Sequence, residues 1–596
     1  VTTVQVSYIH ANPRAGHESY LLKFADDVAG QTACFLVDSG DGVDVDDLLD
    51  DDEYLAAILL THAHLDHYQT LGANVRDGAP VYASPATARL LETVVSENAQ
   101  RYGLADPARA LESLEAIDGW VDVVPGIEVC PVPAGHTPGA VGFVIRFEDG
   151  PETYHVLASG DLSVHRAGGY PAFTTDLPFL VDALFLNVAT ADDYPTALTD
   201  SLAAILERAH VGSTVLVTVS GLTGLEYAHV LASLAETFPD IEPITLVGHL
   251  AKLYEDLEYD HDAVETVPVF GDPGDVIARG GITLAGPETP VDGSSKQLFE
   301  SVRDDPGATL VQITGGASTP VERATCTVYQ FSPVDHPTQA ELERIIDELA
   351  PIQLVIEHQG TGSSSFRSNQ NSFVWEHSDQ VEYVIYDGDW QRPPWMTDEG
   401  ERLVTQHNPR AAYGPLTNGE YDDGAVPSIG RVSATDVAAE GVSLERLEGH
   451  LGSIADDESE PTATPTAEAD ASETSSSPAP ASDTDAAAAD SPADGTGTGT
   501  GDGDGDRETA PPADATLEAI AERLERIEAH LGEPAVEARV VDAGDGVVLL
   551  RLEGDALERV DLTHGETVSL RVSAPAVSQT GPSLEDGDEP DEDDLQ

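Results

Sequence analysis

The run L-A-A-I-L-L-T-H-A-H-L-D-H, residues 55–67, decides how this chain is read. Its first six residues are apolar without interruption, the pattern of a strand buried on both faces. His62, His64, Asp66 and His67 follow directly. On an extended chain alternate residues share a side, so His62 and His64 face one position, while Asp66 and His67 turn toward a neighbouring one. Imidazoles with a carboxylate suit zinc, and manganese or iron with less preference. A single histidine there would read as a satisfied core residue. Four ligand-type residues within six positions read as a metal constellation.

Other segments repeat the design of an apolar strand ending in a ligand-type residue. His136 lies in P-A-G-H-T-P-G after the strand I-E-V-C-P-V-P, where Gly135, Pro138 and Gly139 set a tight turn. Asp161 closes L-A-S-G-D, and a carboxylate there could bridge two cations. Asp38, in F-L-V-D-S-G, is placed to orient a ligand histidine through its second nitrogen.

Around these motifs the composition is extreme. Of 596 residues 108 are acidic and 28 basic, a formal charge of −80, and only three of the cations are lysines (Lys23, Lys252 and Lys296). The excess acid runs through every segment, as in proteins of salt-in halophilic archaea, where a Debye length of about 3 Å at molar salt screens the repulsion. A negative surface in that setting does not exclude a nucleic-acid substrate, and no positive footprint argues for one. Cys34, Cys130 and Cys326 are too scattered for a disulfide framework, which reads as a reducing cytoplasm. No apolar run is long enough to span a membrane, and no export signal opens the sequence.

Up to about residue 400, short β-rich runs alternate with helical stretches, which predicts an α/β architecture. Residues 455–516 contain no large apolar side chain and read as a disordered acidic linker. Short heptad helices are predicted on either side, over 437–454 and 517–532. Each has the choice of pairing in a coiled coil or docking on its own domain. Residues 533–575 alternate with period two around a D-G turn, predicting a small β module, and 581–596 form an acidic tail.

The order Asp38, His62-x-His64-x-Asp66-His67, His136, Asp161 resembles the motif series of the metallo-β-lactamase superfamily. The resemblance implies an αββα sandwich with a binuclear site at one edge of its sheets. His62, His64 and His136 would hold one ion, Asp66 and His67 the second, and Asp161 both. Downstream segments, among them T-V-L-V-T-V-S-G, I-T-L-V-G-H, L-V-Q-I-T-G-G, F-S-P-V-D-H and L-V-I-E-H-Q-G, are similar in order to the β-CASP nucleases of the ribonuclease J and cleavage-and-polyadenylation type. That branch inserts a second α/β domain. It implies a first part over 1–204, an insert over 205–345 and a return over 346–400, with His358 completing the second metal shell. The acid expected in strand 184–190 aligns with Val188, beside Asn187. The expected leaving-group histidine aligns with Val334, two residues before His336.

The implied activity is hydrolysis of phosphodiester bonds in RNA or single-stranded nucleic acid by a metal-activated water, in endo- or exonuclease mode. Two divalent ions, zinc foremost, would serve it. Asp66 or Asp161 would orient the water, and His358 or His336 would assist the leaving 3′ oxygen. Arg14, Arg166 and Arg367 are phosphate contacts or surface ion-pair partners. Two other readings remain: a small-substrate hydrolase of the thioesterase or lactonase kind, and a nuclease-like scaffold subunit. The heptad helices and C-terminal module are the expected surfaces for a homo-oligomer or protein partner.

Overall fold

A computed structural model describes residues 4–26, 31–237, 243–315, 319–358, 366–367, 369–413, 426–432, 436–457, 538–542 and 548–552. The predicted helix 517–532, the acidic tail, nearly all of the 455–516 linker and most of the 533–575 module lie outside these residues. Two compact units divide the chain, Val1–Asp490 and Ser491–Gln596. In the second, Ala538–Asp542 pairs antiparallel with Val548–Leu552.

The first unit contains twenty described strands. They open with β1 (Val4–His10), β2 (Tyr20–Asp26), β3 (Thr32–Val37), β4 (Glu53–Leu59), β5 (Val81–Ala83) and β6 (Leu114–Ala116). Next come β7 (Val121–Val124), β8 (Ile127–Pro133), β9 (Val141–Asp149), β10 (Glu152–Ala158) and β11 (Ala183–Asn187). A third group is β12 (Thr214–Thr218), β13 (Ile244–Val247), β14 (Val264–Val267), β15 (Ile282–Ala285), β16 (Ala308–Ile313) and β17 (Thr327–Phe331). The chain then adds β18 (Gln353–Glu357), β19 (Phe373–Trp375) and β20 (Tyr383–Asp387).

These strands make two seven-stranded sheets, β20-β1-β2-β3-β4-β5-β6 and β19-β18-β11-β10-β9-β8-β7, and a six-stranded sheet, β14-β13-β15-β12-β16-β17. The third sheet is parallel throughout. The chain leaves the second sheet after β11 and re-enters it at β18, which pairs directly with β11.

Strand alternation assembles the layers. In β3, Phe35 and Val37 face the second sheet while Cys34 and Leu36 face helical residues such as Leu90 and Leu91. In β11, Phe185 points between the sheets and Leu184 and Leu186 point outward against Leu342, Ile345 and Ile346 of the helix Gln339–Leu349. Tyr20 stacks on Phe185 at 4.9 Å between ring centroids, pinning the two sheets together. The result is an αββα sandwich whose strands, covered on both faces, carry the continuous apolar runs seen in the sequence.

In the six-stranded sheet, Val215 and Val217 face the helices Tyr194–His210 and Gly221–Thr237, and Leu216 faces Leu298 and Phe299 of the helix Gly293–Val302. The sequence-derived boundaries at 204/205 and 345/346 fall inside the helices Tyr194–His210 and Gln339–Leu349. Each of these helices is one continuous element.

The helix expected over 437–454 begins instead at Leu444 and runs to Asp457. Gly441 stops it from starting earlier: its φ of 93° is closed to a helical residue, and a Cβ there would lie 2.8 Å from Tyr194 Cε1. Leu447 is buried, and Arg446 donates to Asp200 Oδ2 at 2.7 Å, so this helix docks on Tyr194–His210. All three cysteines are free and buried. No described helix is long and apolar enough to cross a membrane.

Candidate metal centre

The candidate ligands converge at the carboxyl ends of strands from both large sheets. After β4 the chain runs through His62 and His64 into a one-turn helix, Leu65–Tyr68, which carries Asp66 and His67. Asp38 follows β3, His136 follows β8, Asp161 follows β10 and His358 follows β18. Asp38, His136 and His358 have φ values of 55°, 60° and 50°, a conformation uncommon outside glycine that clusters at functional sites. Gly135 leaves room for this turn, because a Cβ there would lie 2.6 Å from the carbonyl oxygens of Ser163 and His165.

Three ring nitrogens face one point: His62 Nε2 lies 3.0 Å from His64 Nδ1, and His136 Nε2 lies 3.2 Å from the same atom. Beside them, His67 Nε2 lies 3.5 Å from Asp161 Oδ2 and 3.8 Å from Asp66 Oδ2. His136 Nε2 is 3.7 Å from Asp161 Oδ2. Three overlapping triads, His62–His64–His136, His62–His67–Asp161 and His136–Asp161–His336, each bring one ligand atom per residue within 4.8 Å of the others. These groups could hold divalent metal ions.

The surrounding polar groups behave as a metal site requires. Asp38 is fully buried and accepts from Thr61 N and Thr61 Oγ1, each at 2.8 Å, and holds His67 Nδ1 at 2.8 Å, which turns His67 Nε2 toward Asp161. Buried His67 Nε2 and Asp161 Oδ2 form no hydrogen bond. A buried ring nitrogen and a buried carboxylate oxygen left 3.5 Å apart without a hydrogen bond are a cost that a cation held between them would remove.

Burial, then the neighbouring rings of His67, His64 and His136, pushes His62 well below the usual imidazole range, which keeps it neutral and able to donate its lone pair. Burial acts the same way on His67, but the charges of Asp38, Asp66 and Asp161 overcome it and hold this ring well above that range. Burial alone would raise Asp161; His358 and His67 hold it well below the carboxylate range instead.

His358 and His336 reach the site differently. His358 Nδ1 lies 2.9 Å from Asp161 Oδ1, which also accepts from Asn187 Nδ2 at 3.0 Å. An amide at Asn187 thus contacts Asp161 in the strand where an acid was expected. His336 stacks on His136 with centroids 4.7 Å apart, and the preceding Asp335 carbonyl lies 2.9 Å from His136 Nδ1. Of the arginines considered, Arg367 pairs with Glu376 at 2.6 Å, and the backbone N–H of Arg166 donates to the carbonyl of Ala439.

Sequence reasoning missed two buried carboxylates behind the histidines. Glu357, next to His358, pairs with His10 at 2.8 Å, and burial raises its carboxyl above the usual range. Glu18, 1% exposed, accepts from Asn12 Nδ2 and from Ser19 Oγ, and burial raises it too, against the opposing His67 and His358 charges. Gly16 and Gly40 make space for its carboxylate. Glu357 alone carried a sequence signal, an acid at the end of the apolar run 354–356; Glu18, in the stretch before β2, carried none.

Residues 44–194 match the family described as a beta-lactamase superfamily domain. The chain carries a metallo-β-lactamase superfamily domain. Within the curated proteins it is 34% identical over 155 residues to a protein named ribonuclease TTHA0252 from Thermus thermophilus, an alignment covering 24% of this chain and 34% of that relative. Among solved structures, a protein of unknown function from Enterococcus faecalis V583 aligns at 15% identity over 64% of this chain and 100% of its own, with a TM-score of 0.46. Zinc-bound PqqB from Methylobacterium extorquens aligns at 19% identity over 29% of this chain and 62% of its own, with a TM-score of 0.21. The metallo-β-lactamase domain matched by the family thus spans Asp66, His67, His136 and Asp161, together with His62 and His64.

Proposed function

We propose that this protein is a binuclear metal-dependent phosphodiesterase of the β-CASP type that cleaves RNA or single-stranded nucleic acid. The observation that carries this reading is the convergence of His62, His64, His67, His136, Asp66 and Asp161, with His67 Nε2 and Asp161 Oδ2 buried and unsatisfied. The partial match to a protein named a ribonuclease supports the substrate class.

In this reading His62, His64 and His136 would hold one ion, Asp66, His67 and His358 would serve the second, and Asp161 would contribute to both. Bound there, divalent ions, zinc first among them, would supply a water of lowered pKa and positive charge against the phosphodiester oxygens. Asp38 fixes the His67 tautomer. Asp66 and Asp161 orient the water. His358, tied to Asp161, and His336, stacked on His136, are the side chains proposed to pass a proton to the leaving 3′ oxygen. The six-stranded parallel sheet is the proposed inserted domain, and β18 to β20 the return. The acidic, lysine-poor composition supports a cytoplasmic setting at molar salt.

Full-length protein assayed in molar KCl on labelled RNA, single-stranded DNA and a generic thioester or lactone tests the reading. RNA cleavage that disappears together with bound metal in the His62→Ala, His64→Ala double variant supports it. Undiminished cleavage by that variant, or turnover of the ester alone, refutes it.

A further inference from the structure

His67 and His136, the two histidines nearest Asp161 Oδ2, are anchored in different ways. Asp38 holds His67 with a carboxylate that belongs to the metal motifs themselves. His136 Nδ1 instead meets a main-chain oxygen, the carbonyl of Asp335, at 2.9 Å and 199 residues further along the chain. A carbonyl only accepts, so Nδ1 carries the proton and Nε2 keeps its lone pair. Nε2 is the atom that lies 3.2 Å from His64 Nδ1 and 3.7 Å from Asp161 Oδ2.

The side chain of the same residue fixes that carbonyl in place. Asp335 is 7% exposed, and its Oδ1 accepts from Ser163 Oγ at 2.5 Å, with His165 Nδ1 3.4 Å from the same oxygen. Its Oδ2 is buried and forms no hydrogen bond, so Oδ1 alone makes the attachment. Ser163 is suited to this task. Its Oγ accepts from the His165 N–H at 3.0 Å, which leaves the hydroxyl proton for Asp335. Its own N–H donates to the Ala134 carbonyl at 2.8 Å, two residues before His136, so the serine and the histidine it serves share one frame. Pro333, Val334 and Asp335 also form part of the wall of an open cleft that contains His64 and His136.

We infer that Asp335 is a positioning residue for His136, setting the direction of its metal-facing nitrogen from a segment outside the metal motifs. The inference rests on the metal-centre part of the reading above and is independent of the substrate. With the Ser163 contact gone, the loop and its carbonyl shift, and the His136 ring loses the partner that fixes its tautomer. Outer partners of this kind are worth about 10- to 100-fold in metal affinity. The loss falls on the ion that His62, His64 and His136 would share. The side held by Asp66 and His67 keeps its Asp38 anchor and serves as an internal control.

The test is zinc affinity of the full-length chain in molar KCl, by chelator competition, for the parent, Asp335→Ala, Ser163→Ala and Asp335→Asn. The visible spectrum of each cobalt(II)-loaded protein is recorded alongside. Asp335→Ala and Ser163→Ala should each weaken one of the two ions about 10- to 100-fold, leave the other near its parent value and alter the cobalt bands. Asp335→Asn keeps an oxygen for Ser163 Oγ and should restore both affinity and spectrum. Ser163→Ala leaves the 331–337 loop unaltered, so it decides the matter if Asp335→Ala does not fold. Equal affinities and spectra in all four proteins overturn the positioning role and leave the metal centre standing. Equal weakening of both ions overturns it as well, because general damage to the fold behaves that way, and so does an Asp335→Asn variant as weak as Asp335→Ala. A parent that binds no divalent ion refutes the metal-centre reading and this inference with it.

Discussion

Replacing Glu440 by glutamine should make the protein more stable above neutral pH. Glu440 is 2% exposed and accepts from the Gly169 N–H at 3.0 Å, tying the segment before the helix Leu444–Asp457 to the loop beyond Asp161. Burial pushes its carboxyl up to about 7, against the opposing pull of the Gly169 amide and Arg166. In the unfolded chain it titrates near 4.5. Below that pH both states are protonated and the group contributes nothing to the pH dependence. As pH rises from 4.5 to 7 the unfolded state releases its proton first, so stability falls, and above 7 the full cost is present. A shift of 2.5 pK units, 7 minus 4.5, corresponds to about 3 kcal/mol at 1.36 kcal/mol per unit.

Glu440→Gln keeps an acceptor for Gly169 and removes the titration. Urea unfolding at fixed molar KCl should therefore show parent and variant separating by up to about 3 kcal/mol between pH 5 and pH 8, the variant being the more stable at pH 8. Curves that stay parallel across this range would refute the reasoning, because the buried carboxyl would then carry the same proton in both states.

Three further outcomes follow from other parts of the molecule. Asp38→Asn, which puts an amide N–H against His67 Nδ1 and Thr61 Oγ1, should weaken metal affinity about 10- to 100-fold in a chelator competition while the far-UV spectrum is retained; unchanged affinity would remove Asp38 from the site's support. Leu447→Ala should cost about 2–3 kcal/mol, read as faster amide exchange over 444–457, and truncation before residue 437 should lower the melting temperature where truncation after Asp457 does not. Glu97 of the helix Pro85–Tyr102 is held down to about 2 by His249 and then Lys252 of the helix His249–Asp256. Its contribution is present above pH 4.5 and lost as pH falls toward 2. Because the pair is about a third exposed, Glu97→Gln should flatten acid unfolding by only about 0.2–1 kcal/mol, and an unchanged acid midpoint would count against the clamp.

The sandwich was legible because its strands are covered on both faces and therefore carry apolar runs such as Leu55–Leu60 that few other environments tolerate. Candidate ligands at strand ends were legible for a related reason, since a histidine or aspartate directly after such a run stands out. Buried acids did not stand out: with 108 acidic residues in the chain, Glu18, Glu226 and Asp335 look like any others until burial separates them. Alignment offset also misled at His336, two residues from its expected position, because the 331–337 loop brings the ring onto His136 regardless. The heptad spacing of Leu444 and Leu447 gave the helix correctly, but the burial of Leu447 depends on Tyr194–His210, more than two hundred residues earlier, which no local period records.

The most direct measurement of the central claim is elemental analysis of the full-length protein after exhaustive dialysis in molar KCl, with the His62→Ala, His64→Ala double variant and the Asp161→Asn variant alongside. Two divalent ions per chain in the parent and fewer in both variants, each with its fold retained, are what the convergence of these side chains predicts. A parent that folds and holds no divalent ion above background, or variants that retain both, would contradict it.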